Sequence, residues 1–301
     1  MLVFEAYGGA GGAAIGLEAA GFEHAAIVEV DPDACDTLRA NGFENVYQMR
    51  VGELDRCFHP DLVWASFPCQ PFSSMGSRLG VGDDRNGWPD TRDQIDRQDP
   101  TVFLAENVLG LTQHQTGCTR SLPLFGDPPP CSGCYLDNVI MRDLRDRFAC
   151  SGWFVMDASR YGVPQIRKRV IVWGAPQPLK KPAETHGKGL LPLVSVRDAI
   201  GIDARMDGGR NSTANPNQER QRTTLEPCFT LGTKGNAMAR FPDGTSRRLT
   251  PREEATIQGF PTGYRFCGRT KGDLYRQIGN ALPPKIAELV GLEAMAILRG
   301  L

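Results

Sequence analysis

With 301 residues, 41% of them hydrophobic and 23% charged, the chain is long enough to bury a full core and unlike a disordered or fibrous protein. No apolar run reaches the roughly 18 residues of a membrane span, and the glycine-rich N-terminus has no basic n-region and carries Glu5, so neither an anchor nor a signal peptide is expected. Nine cysteines without regular spacing argue against a disulfide framework and for a reducing, intracellular setting.

Apolar runs at residues 2–7, 25–30, 46–49, 61–66, 102–106, 154–158 and 170–173 alternate with helix-like segments, which predicts an α/β protein. Several runs are uniformly apolar, so a parallel sheet covered on both faces is expected. After the first run, Tyr7-Gly8-Gly9-Ala10-Gly11-Gly12 opens a segment with Ile15 and Leu17 at helical spacing. Glycines there let the chain turn sharply and let a ligand lie against the backbone. The loop lacks the G-x-G-x-x-G spacing and alone is equally a tight turn. Glu29, ending the second run, adds a carboxylate of the kind that accepts from ribose hydroxyls, so the two together point to a nucleoside cofactor.

The fourth run leads into Ser66-Phe67-Pro68-Cys69-Gln70-Pro71-Phe72-Ser73, and the fifth ends in Glu106-Asn107-Val108. In an open α/β sheet these strand ends are where reactive groups gather, so Cys69 and Glu106 are the expected thiol and carboxyl of the chemistry. A lone cysteine after a strand is ordinarily a small buried hydrophobe, and a lone glutamate there a strand-end cap. Residues 66–85 hold several glycines, which suits a mobile loop or simply a disordered surface loop.

An insertion at residues 112–135 contains His114, Cys118, Cys131 and Cys134, as H-x3-C and C-x2-C pairs. That spacing suits tetrahedral zinc. The plainer expectation is free thiols in a loop, with zinc second and a disulfide third.

Charge is unevenly spread. Residues 1–110 hold 7 Lys/Arg against 18 Asp/Glu, and residues 111–301 hold 27 against 17. The basic part includes residues 160–181, with Arg160, Arg167, Lys168, Arg169, Lys180 and Lys181 and no acid, which suits a polyanionic partner or a solvated loop. From about residue 174 to 224 periodicity fades and an irregular lobe is expected. After Pro283-Pro284, the stripe Ile286, Leu289, Val290, Ala294, Ile297 and Leu298 predicts a helix that packs back on the sheet.

The ordered set Tyr7 to Gly12, Glu29, Phe67-Pro68-Cys69-Gln70, Glu106-Asn107-Val108, Gln165-Ile166-Arg167-Lys168-Arg169, Arg248-Leu249-Thr250-Pro251-Arg252-Glu253 and Gly279-Asn280-Ala281-Leu282-Pro283-Pro284 resembles the cytosine-5 DNA methyltransferase family. The resemblance implies a Rossmann-like class I methyltransferase sheet over residues 1–173 and a small, irregular target-recognition domain over 174–273. Residues 274–301 would return as a helix to the catalytic domain. It implies S-adenosylmethionine as cofactor, held by Tyr7, Gly9, Gly11, Gly12, Glu29, Val30, Gln48, Met49, Pro68, Asn280 and Ala281. It further implies a monomer acting on double-stranded DNA inside the cell. The sequence departs from the family with Glu5 and Tyr7 for Asp and Phe on the first strand, and with Gln48 for the usual Asp after the third.

Carbon 5 of cytosine is a poor nucleophile, and a thiolate adding at carbon 6 converts the ring to an enamine; Cys69 would make that attack. Glu106 would donate from a protonated oxygen to ring N3 while its other oxygen accepts from the exocyclic amine, with Arg167 and Arg169 lining the site. Carbon 6 is hidden inside a duplex, so the nucleotide must rotate out of the stack. Sequence reading would fall to residues 174–248, with Arg205, Arg210, Arg220, Arg222 and Lys234 as phosphate or guanine contacts. The tRNA-methylating branch of the family uses the same cysteine, and Cys228-Phe229-Thr230 resembles a tripeptide found there. Phe72-Ser73 and Gln258-Gly259-Phe260-Pro261 read like the DNA enzymes. A non-catalytic DNA-binding regulator is the remaining alternative, against which the intact Cys69 and Glu106 stand.

Overall fold

The computed structural model describes residues 1–68, 86–114, 131–211 and 215–301, with side chains for all of these except 209–211 and 215–221. All seven apolar runs are strands: β1 (Leu2–Ala6), β2 (Glu23–Glu29), β3 (Val46–Gln48), β4 (Leu62–Ala65), β5 (Val102–Val108), β6 (Cys150–Asp157) and β7 (Lys168–Ala175). The helices are α1 (Gly12–Ala19), α2 (Pro32–Ala40), α3 (Trp88–Gln98), α4 (Ser132–Tyr135), α5 (Met141–Arg147), α6 (Val196–Ile200), α7 (Pro251–Gln258), α8 (Lys271–Asn280) and α9 (Pro284–Arg299).

The strands pair in the order β3-β2-β1-β4-β5-β7-β6. Strands β1 to β5 run parallel, but β7 is antiparallel to both β5 and β6. The sheet is therefore mixed, and not the parallel sheet that the apolar runs predict. Only residues 158–167 separate β6 from β7, fewer than the dozen or so that a parallel crossover needs. The reversal has a consequence for the site, because it brings the start of β7 to the edge where β1 to β5 end.

The uniform apolarity of the strands follows from burial on both faces. Leu62, Trp64, Val102 and Leu104 face a core with Leu17 of α1 and Ile286, Val290 and Ala294 of α9. Val63, Ala65, Phe103 and Ala105 face a second core with Trp88 and Ile95 of α3 and Met141 and Leu144 of α5. The predicted stripe of α9 is buried as expected, with Leu289 at its margin. Close approach of α9 to α1 requires Gly16, where a Cβ would lie 2.3 Å from Pro284 O and 2.6 Å from Glu288 N.

The stretch expected to be irregular instead holds most of a second, antiparallel sheet of β8 (Arg205–Asn211), β9 (Asn215–Thr223), β10 (Met238–Arg240) and β11 (Ser246–Arg248), in the order β11-β10-β8-β9. Its two longest strands read RMDGGRN and NPNQERQRT, without apolar alternation, so backbone pairing leaves no period-2 trace in the sequence. A core of Val196, Met206, Phe229, Leu231, Ala239, Leu249 and Ile257 underlies it. The motif at 248–253 starts α7: Thr250 Oγ1 accepts from Glu253 N at 3.2 Å, Glu253 Oε2 accepts from Thr250 N at 2.7 Å, and Pro251 takes the first helical position. Helix α8 runs across the boundary expected at 273/274. No helix among the described residues is long and apolar enough to cross a membrane.

Candidate active site

Strand order reverses between β1 and β4, and in open α/β sheets such a switch point is where ligands bind, at the carboxyl ends of the strands. The loop after β1 turns through left-handed φ values at Tyr7 (59°), Gly9 (52°) and Gly11 (83°). Gly9 N donates to Glu29 Oε2 at 2.8 Å, and Val30 N and Asp31 N donate to Oε1 at 2.8 Å each. Three donors on two oxygens leave the carboxylate with accepting capacity to spare. Burial pushes the Glu29 carboxyl up, and the three N–H groups oppose that shift. Val30 is 59% exposed beside it, Gln48 stands opposite Glu29 in the β2–β3 register, and Met49 N donates to Glu29 O at 3.1 Å. Glu29, Val30, Gln48 and Met49 thus share one rim.

The glycines of the loop divide by what they touch. A Cβ on Gly9 would meet nothing within 4 Å, whereas on Gly11 it would lie 2.4 Å from Tyr264 Oη and on Gly12 2.2 Å from Leu282 O. Tyr264 Oη donates to Ala10 O at 2.7 Å, clamping the loop from the far end of the chain. Gly11 and Gly12 are therefore small because protein packs on them, and Gly9 alone of the three borders open space. Asn280 is exposed, while Ala281 is buried with its carbonyl engaged by Arg167 and Gln258.

Across the switch point, β4 continues through Phe67 to Pro68. Asn107 Nδ2 donates to Phe67 O at 3.1 Å and Tyr7 Oη donates to Gly87 O at 3.0 Å, so the ends of β5 and β1 brace both flanks of residues 69–85. Cys69 lies outside the described residues, as does most of the loop predicted at 66–85. Glu106 is 8% exposed at the end of β5, and Arg169 Nε lies 2.6 Å from its Oε1. Burial is the largest influence on this carboxyl and pushes its pKa up, while the charges of Arg169 and Arg167 pull the other way. The reversed β7 delivers Arg169 here, with Arg169 opposite Val108 in register.

Arg167 does a different job from the one expected beside Arg169. It is buried, and its guanidinium donates to Leu231 O at 3.2 Å, Gly279 O at 2.7 Å and Ala281 O at 2.9 Å. These three carbonyls belong to the small lobe and to the segment before α9, so Arg167 ties both to the main sheet and acts on Glu106 through its charge. The sequence contained Asn107 and Tyr264 but assigned them no role, and Tyr264 stands in no motif that distinguishes it.

His114, Cys131 and Cys134 come together as a separate cluster, and Cys118 lies outside the described residues. Lys234, Arg248 and Lys271 line a pocket of about 270 Å³ where the small lobe meets α8. Arg222 faces Glu226 at 3.5 Å, and the side chains of Arg210 and Arg220 lie outside the described ones. Cys228 is buried, and it and Thr230 fasten the loop before β7: Ile166 N donates to Cys228 O at 2.8 Å and Thr230 Oγ1 donates to Ile166 O at 2.7 Å.

A seven-stranded sheet of this order, with one reversed strand and a glycine loop facing a strand-end carboxylate, is the Rossmann-like fold of class I methyltransferases. The chain matches the family of C-5 cytosine-specific DNA methylases over residues 1–195 and 201–295, and it belongs to that family. It is 31% identical over 336 residues to the type II methyltransferase M.NgoMIV of Neisseria gonorrhoeae, covering 97% of this chain and 96% of that one. It is 32% identical over 342 residues to the type II methyltransferase M.PspPI of a Psychrobacter strain, covering 95% and 77%. The fold is also that of the Schizosaccharomyces pombe Dnmt2 methyltransferase, with a TM-score of 0.66 at 17% identity, covering 98% of this chain and 99% of that one.

Proposed function

We propose that the protein methylates carbon 5 of a cytosine flipped out of duplex DNA, with Cys69 as nucleophile, Glu106 as the group that reads and protonates the base, and Arg169 as its partner. The observation that carries this reading is the buried Glu106 carboxyl at the end of β5, 2.6 Å from Arg169 Nε and raised in pKa by its burial. Arg169 engages Oε1, so a proton retained by the carboxyl sits on Oε2, where it faces ring N3, and Oε1 keeps capacity for the exocyclic amine. Uracil presents a hydrogen at N3 and an oxygen at carbon 4, so it would meet donor against donor and acceptor against acceptor. As the Cys69 sulfur bonds to carbon 6, electron density moves toward N3, and the Glu106 proton meets it there. Carbon 5 gains nucleophilic character toward the methyl that the cofactor would supply; with that methyl in place, water takes the carbon 5 proton, the sulfur leaves as thiolate and N3 returns its proton to the Glu106 carboxylate, which restores the ring. Asn107 holds the strand end from which Cys69 follows and acts as a positioning residue.

The rim fits S-adenosylmethionine, which supplies an electrophilic methyl group on a sulfonium. Glu29 offers spare accepting capacity to ribose hydroxyls, exposed Val30 an apolar surface for adenine, Gln48 an amide acceptor for the adenine amine, and Gly9 an unobstructed face of backbone. Residues 1–173 with the returning α9 form the catalytic unit in this reading, and the four-stranded sheet with its basic pocket of Lys234, Arg248 and Lys271 forms the unit that holds phosphates. The protein works as a monomer with the cell's DNA, and the type II names of its relatives favour a place beside a restriction enzyme.

The test compares transfer of labelled methyl groups to duplex DNA and to tRNA, followed by bisulfite sequencing of the DNA product. Labelled 5-methylcytosine at a fixed DNA sequence is expected. Transfer confined to tRNA would replace the substrate, and transfer to neither would remove the activity.

A further inference from the structure

We propose that His114, Cys131 and Cys134 supply three ligands of a zinc site, a structural clip that takes no part in the chemistry of methyl transfer. Their three ligand atoms lie within 4.8 Å of one another, and His114 Nδ1 is 3.6 Å from both Cys131 Sγ and Cys134 Sγ. Zinc bonds of about 2.3 Å to sulfur and about 2.0 Å to nitrogen, set at the tetrahedral angle, place sulfur and nitrogen about 3.5 Å apart. The cluster therefore already has the spacing of ligands on one metal.

On the other side of the ring, His114 Nε2 lies 3.3 Å from Asp137 Oδ2, a partner for an Nε2 hydrogen that would leave the Nδ1 lone pair for a metal. A carboxylate that sets the tautomer of a ligating histidine is the usual second partner of a zinc site.

The local chain is shaped for this contact. Cys131 precedes α4 in extended conformation and Cys134 lies within it, so the C-x2-C turn directs both sulfurs to one side. Gly133 lies between them, where a Cβ would approach the His114 ring to 2.8 Å; only glycine lets the imidazole rest on that turn. Gly133 N donates to Gln113 O at 3.0 Å, which holds the two ends of the insertion together. Both cysteines are buried, and Tyr135 and Leu136 beside them enter the core that faces β5. A metal here would bind the chain just after Glu106-Asn107-Val108 to the start of α4 and stiffen the strand end that carries Glu106.

The protein purified with reductant, and dialysed against metal-free buffer, is analysed for metal; about one zinc per chain is expected. Exchange for cobalt should give the thiolate-to-cobalt charge-transfer band of a tetrahedral sulfur-ligated site. The double variant Cys131→Ser, Cys134→Ser should lose both metal and band, and Asp137→Asn should bind zinc about 10–100-fold more weakly. If the double variant does not fold, the wild-type chain still decides: chelation should lower Tm and zinc should restore it. A metal-free chain with unchanged Tm under chelator, a zinc content indifferent to the two substitutions in a folded variant, or a Cys131–Cys134 disulfide in unreduced protein would each overturn the proposal.

Discussion

The two sheets solve opposite problems. The seven-stranded sheet is apolar on both faces, and Glu29, Glu106, Asn107 and Arg169 stand at the edge where β1 to β5 end, engaged with backbone or with one another. The four-stranded sheet is built from polar, cation-rich strands, and Arg248 of β11 lines a pocket with Lys234 and with Lys271 of α8. In the proposed function the first sheet holds the reacting groups and the second presents charge to a polyanion. On this account chemistry fails when the first edge is changed, and affinity fails when the second surface is changed.

The largest expected effect is on the chemical step. Cys69→Ser should lower methyl transfer by about 10⁴-fold or more while cofactor binding, followed by calorimetry, stays within a few-fold. Glu106→Gln should follow, at about 10²–10⁴-fold in kcat, because the amide cannot offer a proton to N3. Its pH profile sharpens the point: burial raises the Glu106 pKa, so wild-type activity that depends on the neutral carboxyl persists above the usual carboxyl range and declines as pH rises through the raised value. The variant should lack that limb.

Arg167 and Arg169 separate stability from chemistry. Arg167→Met removes the donor to Leu231 O and Gly279 O and one of two donors to Ala281 O, and should cost about 2–5 kcal/mol in denaturant unfolding. Arg169→Met should cost activity instead, with a smaller fall in stability. Equal effects of the two would break the distinction. In the glycine loop, Gly12→Ala forces a methyl against Leu282 O and should destabilise by about 1–3 kcal/mol, read as a fall in Tm. Gly9→Ala pays only its left-handed backbone, about 1 kcal/mol, and should raise the Kd for cofactor more than it lowers Tm.

Smaller effects are expected away from the edge. Lys234→Ala should weaken DNA binding similarly on all sequences and reduce the salt dependence by about one charge. Glu254 has both carboxyl oxygens buried without a partner, and burial pushes its pKa up to about 8 from 4.5. The unfolded chain releases this proton at lower pH than the folded one. Stability from this group is therefore full below about 4.5 and is lost as pH rises to about 8. Glu254→Gln should gain on wild type across that window in Tm measured against pH.

What was legible in the sequence follows from the same contrast. The seven main strands announce themselves because burial on both faces demands unbroken apolar runs, and Cys69 and Glu106 stand where such runs end. The reversal of β7 was hidden because apolarity carries no direction; the short span from 158 to 167 was the available signal. The small sheet was missed because β8 and β9 carry no apolar alternation to read. Arg167 and Arg169 were expected side by side at the site, yet Arg167 precedes β7 and donates to carbonyls while Arg169 meets Glu106, partners more than sixty residues away in the chain and beyond any local pattern. Gly12 was read as a cofactor contact, and the structure adds a reason for glycine that the sequence does not show, since a Cβ there would lie 2.2 Å from Leu282 O.

The most direct measurement is a covalent trap. Duplex DNA carrying 5-fluorocytosine at the target position, incubated with the protein and S-adenosylmethionine, should yield a stable protein–DNA adduct whose peptide mass assigns the link to Cys69 sulfur. The fluorine blocks the loss from carbon 5 that would release the enzyme. No adduct on DNA whose unmodified form is methylated, or an adduct through another residue, would contradict the account.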